Sequence, residues 1–127
     1  MPPKEITGKR PTNYSTWHRS NLPEYCYMVD GDWFEMRERD DQLVPVACFE
    51  TIEIGGLFIP NAQKEYLLWK AKVALYQHIK QKMGIPVFIV RHTPDCKQFS
   101  VARLTDNGET EAIVMSEDEY KDLILNL

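Results

Sequence analysis

No apolar run in this sequence approaches the roughly 20 residues that a membrane-spanning helix requires, so a soluble chain is expected. The opening residues, MPPKEITGKRPTNYS, lack the apolar stretch of a secretory signal. Cysteine is scarce: Cys26, Cys48 and Cys96 are an odd number, widely spaced, with no Cys-x-x-Cys pair. That usage fits reduced thiols in a cytoplasmic protein and excludes a zinc ribbon. There is no Walker A loop, no Gly-x-Gly-x-x-Gly turn and no Ser-His-Asp signature. Internal repeats and low-complexity tracts are missing too, and with aromatics at 11% the chain is neither collagen-like nor wholly disordered.

What is present is one domain's worth of chain. Its 127 residues, 43% hydrophobic, can bury an ordinary core without disulfides or metal staples. A single domain over 1–127 is expected, with 1–13 as a flexible, proline-containing arm. The net charge of −4 hides an uneven distribution. Residues 1–23 carry four bases against one acid, and 64–97 carry seven bases against two. The acids collect in 24–53, nine against two bases, and in 98–127, seven against two. An acidic protein can still bind a polyanion if its basic surface lies on one side, although charge blocks are also ordinary solvated faces.

Ser15 or Thr16 can cap a short helix through Trp17, ended before Pro23. CYMVDGDWFEM, from Cys26 to Met36, reads as a strand, and VPVACFETIEI, from Val44 to Ile54, as its hairpin partner across a polar turn. Leu57 to Ile59 is expected to add a short strand. Asn61 then caps a helix over about 62–83 that packs Leu67, Leu68, Ala71, Leu75 and Ile79 on a sheet and stops at Gly84. PVFIV is the run of a strand buried on both faces, and Phe99 to Leu104 is a further strand. Ser116 with Glu119 forms a capping box for a short C-terminal helix. The order is that of an α/β domain with a mixed sheet.

The hairpin concentrates the chemistry. Glu50 lies on the face of Val46, Cys48, Ile52 and Ile54, an acid planted in an apolar stripe, and such a group needs a partner or a metal. A turn centred near Asp41 pairs residues whose numbers sum to 82, which sets Asp32 opposite Glu50. Two facing carboxylates repel unless a cation or a shared proton lies between them, and a hard ion such as Mg²⁺ needs only one or two of them plus water and phosphate. Asp30-Gly31-Asp32 is equally the composition of a simple turn, with Trp33 opening a different strand.

The succession YSTWHRSNLPEYCYMVDGDWFEMRERDDQLVPVACFETIEI, then LLWKAKVALYQHIKQKMGIPVFIVRH and FSVARL, resembles small proteins of the PD-(D/E)XK nuclease superfamily over about residues 14–104. The resemblance implies a restriction-endonuclease-like α-β-β-β-α-β core and Mg²⁺- or Mn²⁺-dependent hydrolysis of phosphodiester bonds in DNA, or else RNA. By it, Asp32 and Glu50 are metal ligands, with Asp30 auxiliary. The family's Glu-x-Lys motif is broken here, because Ile52 stands where the lysine belongs. In some members that lysine has migrated to the following helix, which makes Lys70 the replacement. Lys70 falls in a polar stripe with Gln63, Gln77 and Gln81 between apolar flanks, and its stem is long enough to reach the hairpin. It is equally an ordinary surface lysine. His18 and Arg19 from the first helix, and Lys64 and Lys72 from the second, are candidates for nucleic-acid contact. Lysines spread round a helix are also common solubility devices, and Trp17, Trp33 and Trp69 are more often core than stacking platforms. The resemblance implies homodimers as well. The alternative to an enzyme is a non-catalytic member of the fold that binds nucleic acid or a protein partner.

Overall fold

The computed structural model describes residues 5–6, 13–29, 33–62, 68 and 70–127. Asp30, Asp32, Lys64 and Trp69 lie outside them, as does most of the expected N-terminal arm. In chain order the elements are β1 (Glu5–Ile6), α1 (Asn13–Asn21), β2 (Tyr27–Val29), β3 (Trp33–Arg39), β4 (Gln42–Glu53), α2 (Lys70–Met83), β5 (Val87–His92), β6 (Gln98–Thr105), β7 (Gly108–Glu109), β8 (Ile113–Ser116) and α3 (Glu117–Leu125). The strands join one mixed sheet in the order β1-β2-β3-β4-β5-β6, with β7 and β8 both paired to β6. The chain is therefore α/β, as its pattern predicts. Glu5–Ile6, within the expected arm, pairs with β2 in the sheet. Among the described residues no helix is long and apolar enough to cross a membrane.

Two local choices build the central hairpin. Asp40 and Asp41 both take left-handed backbone (φ 51° and 62°), and Arg39 pairs with Gln42, so the turn is a two-residue one. Left-handed pairs match the right-handed twist of the flanking strands, and aspartate tolerates that region better than most residues. Near the turn the paired residues sum to 81, from Arg39 with Gln42 to Met36 with Pro45. Val46 is then an extra residue, a β-bulge, and from Glu35 with Ala47 to Trp33 with Phe49 the sum is 82. The expected register thus holds beyond the bulge, for a reason other than the expected turn centre.

Three expectations are corrected. The segment Cys26–Met36 is two strands rather than one, since Tyr27–Val29 pairs antiparallel with Phe34–Met36. Leu57 to Ile59 is not a strand; Ile54, Ile59 and Ala62 form a small cluster of their own under this loop. Of the helix expected over 62–83, Ala62 and Lys70–Met83 are helical, Leu68 is not, and 63–67 and 69 lie outside the described residues. Tyr76, not Leu75, is its buried centre, and Leu75 is exposed. Ser15 and Thr16, expected as caps, lie inside α1, which starts at Asn13, whereas the C-terminal cap follows the sequence. Ser116 Oγ accepts from Glu119 N at 3.2 Å while Glu119 Oε1 accepts from Ser116 N at 3.1 Å, closing the capping box. β5 is buried at every position and parallel to β4, which requires a crossover, and α2 lies in it.

The two faces of the sheet carry different interiors. One face packs Phe49, Phe88, Val90 and Phe99 against Tyr14 and Trp17 of α1 and Tyr120 and Ile124 of α3. The other packs Cys48, Val87, Ile89 and Leu104 against Tyr76 of α2. The first face also buries charge. Glu35 is hydrogen-bonded to His18 Nε2, and its other oxygen accepts from Arg37 Nη1 at 2.8 Å. Arg37 Nη2 in turn donates to Ile124 O at 2.7 Å, near the end of α3. Removing one partner of such a group leaves an uncompensated buried charge. Arg37→Met should lower the unfolding free energy by about 3–5 kcal/mol in urea titration. A change below about 1 kcal/mol would show that the cluster is not an anchor.

Candidate functional site

Beyond the bulge, β4 alternates so that Cys48, Glu50 and Ile52 face α2 while Ala47 and Phe49 face α1 and α3. Glu50 is the charged member of the α2-facing row, and its side chain is only 14% exposed. Both carboxylate oxygens meet donors from α2. Lys72 Nζ donates to Oε1 at 2.7 Å, and the Tyr76 hydroxyl donates to Oε2. Residues four apart on a helix share a face, so one turn of α2 supplies both contacts. Lys72 is half-exposed at 53%, whereas Tyr76 is buried. Glu50 is thus gripped from the core by a phenol and from solvent by an ammonium.

The lysine at Glu50 is therefore Lys72, not the expected Lys70. Lys70 is the first residue of α2, lies about 200° round the helix from Lys72, and is exposed. Gln77, expected to share its stripe, donates instead to Thr105 O at 2.9 Å, at the end of β6. Tyr76, with no feature to mark it beyond its spacing from Lys72, was not expected at the site.

Ile52 has a neighbour that accounts for the absence of a lysine there. In the parallel register of β4 and β5 it lies beside Arg91, whose guanidinium is fully buried. Arg91 Nη1 and Nη2 donate to Glu109 Oε1 and Oε2 at 2.7 and 3.0 Å. A lysine at 52 would add a second cation next to one that already has its counter-ion, in a medium where like charges repel strongly. Arg91 interrupts an otherwise apolar strand, the same signal that marks Glu50.

The other candidates are dispersed. His18 is fully buried against Glu35, and Arg19 is exposed on α1, across the sheet from Lys72. These two do not share a surface with Lys72. Trp17 is core, with Nε1 donating to Glu117 Oε2 at 2.7 Å. His78 is exposed on α2, and Lys80 faces Asp106 at 3.7 Å. Among the described residues no group of three or more His, Cys, Asp or Glu is gathered for a metal; Asp30 and Asp32, expected as ligands with Glu50, lie outside those residues. The three cysteines are buried thiols outside any disulfide, and burial, with Glu53, Asp95 and Glu117 adding, pushes the Cys96 thiol up to about 12, so it is no nucleophile at neutral pH. Compared with known proteins, the chain matches no family model, no curated protein and no solved structure.

His92, buried at the end of β5, is held below the ordinary histidine range by burial, against a hydrogen bond with Thr93 O and the charge of Glu53. A histidine that stays neutral when folded but takes a proton when unfolded stabilises the fold above its unfolded value of about 6.5, and that contribution is lost as pH falls toward the folded value. The unfolding free energy should therefore drop from about pH 7.5 to about pH 5.5, and His92→Gln should show a smaller drop. Equal slopes in urea titrations of the two proteins would contradict this.

Proposed function

We propose that this chain is a metal-dependent nuclease-like domain that hydrolyses phosphodiester bonds, with DNA the first substrate to test and RNA the second. The observation that carries the reading is the Lys72 ammonium at 2.7 Å from Glu50, on the strand whose Glu-x-Lys motif has Ile52 in place of lysine. Two further features support it. The run α1-β2-β3-β4-α2-β5, with β2, β3 and β4 antiparallel in turn and β5 parallel to β4, has the element order of a restriction-endonuclease-like core. The register between β3 and β4 pairs Trp33 with Phe49, the neighbours in sequence of the expected ligands Asp32 and Glu50.

In this reading the oxygen donors for a hard divalent ion are Glu50 with Asp32 and Asp30, the last two outside the described residues. Mg²⁺ and Mn²⁺ accept oxygen ligands, and Mg²⁺ sites commonly use one or two carboxylates with water and substrate phosphate completing the shell. Glu50 and Asp32 would hold the ion, with Asp30 auxiliary; when bound it supplies Lewis acidity that eases deprotonation of water and offsets charge on the phosphate. Glu50 holds the Lys72 ammonium at the site. Lys72 orients the attacking water and neutralises negative charge as it develops on the phosphate. α2 contributes Lys70 and Lys82 without any acidic residue, a run of cations suited to a phosphate backbone.

The test is cleavage of DNA and RNA panels with Mg²⁺ or Mn²⁺. Glu50→Gln and Lys72→Met should each lower the rate by about 10²–10⁴-fold, while Lys70→Met stays within a few-fold of wild type. Lys72→Met should keep its unfolding free energy within about 1 kcal/mol, because an exposed ion pair contributes little. Equal cleavage without Lys72 would remove it from the mechanism. A second reading, a non-catalytic fold that binds nucleic acid or a protein, is favoured by the occupation of both Glu50 oxygens by protein donors. Nucleic-acid binding with no cleavage under any condition would select it.

A further inference from the structure

β8 is an outer strand whose far edge has no partner among the described residues. From Phe99 to Val101, β6 is paired with β5 on one side and with β8 on the other. Gln98 turns its backbone toward β5, where its carbonyl accepts from Thr93 N at 3.2 Å. Backbone groups alternate in direction along a strand, so Phe99 and Val101 turn theirs to Met115 and Ile113 of β8. Val114, between those two, therefore points its N–H and C=O away from the sheet. Exposed edges are normally guarded by lysine or proline, and Ile113-Val114-Met115 carries neither. Ile113 and Val114 are instead apolar and 62% and 55% exposed.

Beside this edge, on the α3 face of the sheet, is a groove of about 470 Å³ lined by Met115, Glu119, Asp122, Leu123, Asn126 and Leu127. Its floor is apolar, because Met115, Leu123 and Leu127 are partly buried against the core. Its rim is acidic, with Glu119 and Asp122 both exposed. The cations of this end, Lys97 and Lys121, act on Glu117 and do not line the groove. We infer that β8 and this groove form a docking surface for an extended segment of a partner protein, which adds a strand at Val114 and turns apolar and basic side chains into the groove. Residues two apart in that segment share the groove face: an apolar one covers Met115 and Leu123, and a lysine or arginine reaches Glu119 and Asp122. A second copy of β8 fits less well. Antiparallel self-pairing about Val114 would set Glu111 of each copy opposite Glu117 of the other and bring the two acidic rims together. Glu50 faces the other side of the sheet, so this surface does not depend on the nuclease reading.

Fluorescence anisotropy of labelled peptides titrated with the full chain tests this. The peptide KTVTKTVTK presents lysine and valine alternately on one face and threonine on the other. It should bind saturably and about tenfold or more tighter than ETVTETVTE. The same basic peptide N-methylated at its threonines, the residues whose N–H groups would meet Val114, should lose binding. Val114→Lys alters an exposed side chain, and Glu119→Gln with Asp122→Asn keeps a residue that can close the capping box. Each should weaken binding of KTVTKTVTK by about tenfold. No saturable binding of that peptide, equal binding of the acidic one, undiminished binding of the methylated one, or full binding by Val114→Lys would overturn the proposal. Sedimentation covers the other occupant: a wild type that dimerises, and a Val114→Lys variant that does not, would give the edge to a second copy and overturn the partner segment.

Discussion

The extra residue Val46 in β4 governs which side of the sheet each later side chain of that strand faces. Side chains alternate along a strand, so inserting one residue moves everything after it to the opposite face relative to the partner strand. With the bulge, Phe34 pairs with Cys48 and both face α2, and Glu50, two residues on, faces α2 as well. Without it Glu50 would point toward α1 and α3, among Phe88, Phe99 and Tyr120. The meeting of Glu50 with Lys72 and Tyr76 is a consequence of one unpaired residue about four positions away.

The two faces handle charge differently. Against α1 and α3, Glu35 lies between His18 and Arg37, and Arg37 ties the hairpin to the end of α3 through the Ile124 carbonyl. Every charge there has a protein partner and almost no solvent, which suits an anchor and not a reacting centre. Against α2, Glu50 is reached from water on one side only, through a half-exposed lysine. A carboxylate that is held yet reachable can exchange a partner, and catalysis or ligand binding requires that.

Arg91 explains how the site differs from the Glu-x-Lys arrangement. Its guanidinium occupies the interior next to position 52 and is neutralised by Glu109 from β7. An apolar Ile52 packs beside that pair, and the cation at Glu50 comes from the helix above instead. For a carboxylate the distance of the ammonium matters and not the element that carries it, so a lysine from α2 can neutralise Glu50 as one on β4 would.

The sequence by itself determined the α/β class, the hairpin with its polar turn, the doubly buried β5 and the capped C-terminal helix, because alternation, turn residues and a capping box act over a few residues. It also marked Glu50, since an acid in an apolar stripe is a local contradiction. Tertiary structure decided the rest. Whether Cys26–Met36 is one strand or two depends on a partner strand and not on its own propensity. The rotation of α2 about its axis, which brings Lys72 and Tyr76 to Glu50 in place of Lys70, is set by where the helix starts and how Tyr76 fills the space between Val87, Ile89 and Leu104. Lysines two positions apart on a helix are alike in sequence and stand on different sides of it, so only packing against the sheet could choose between them.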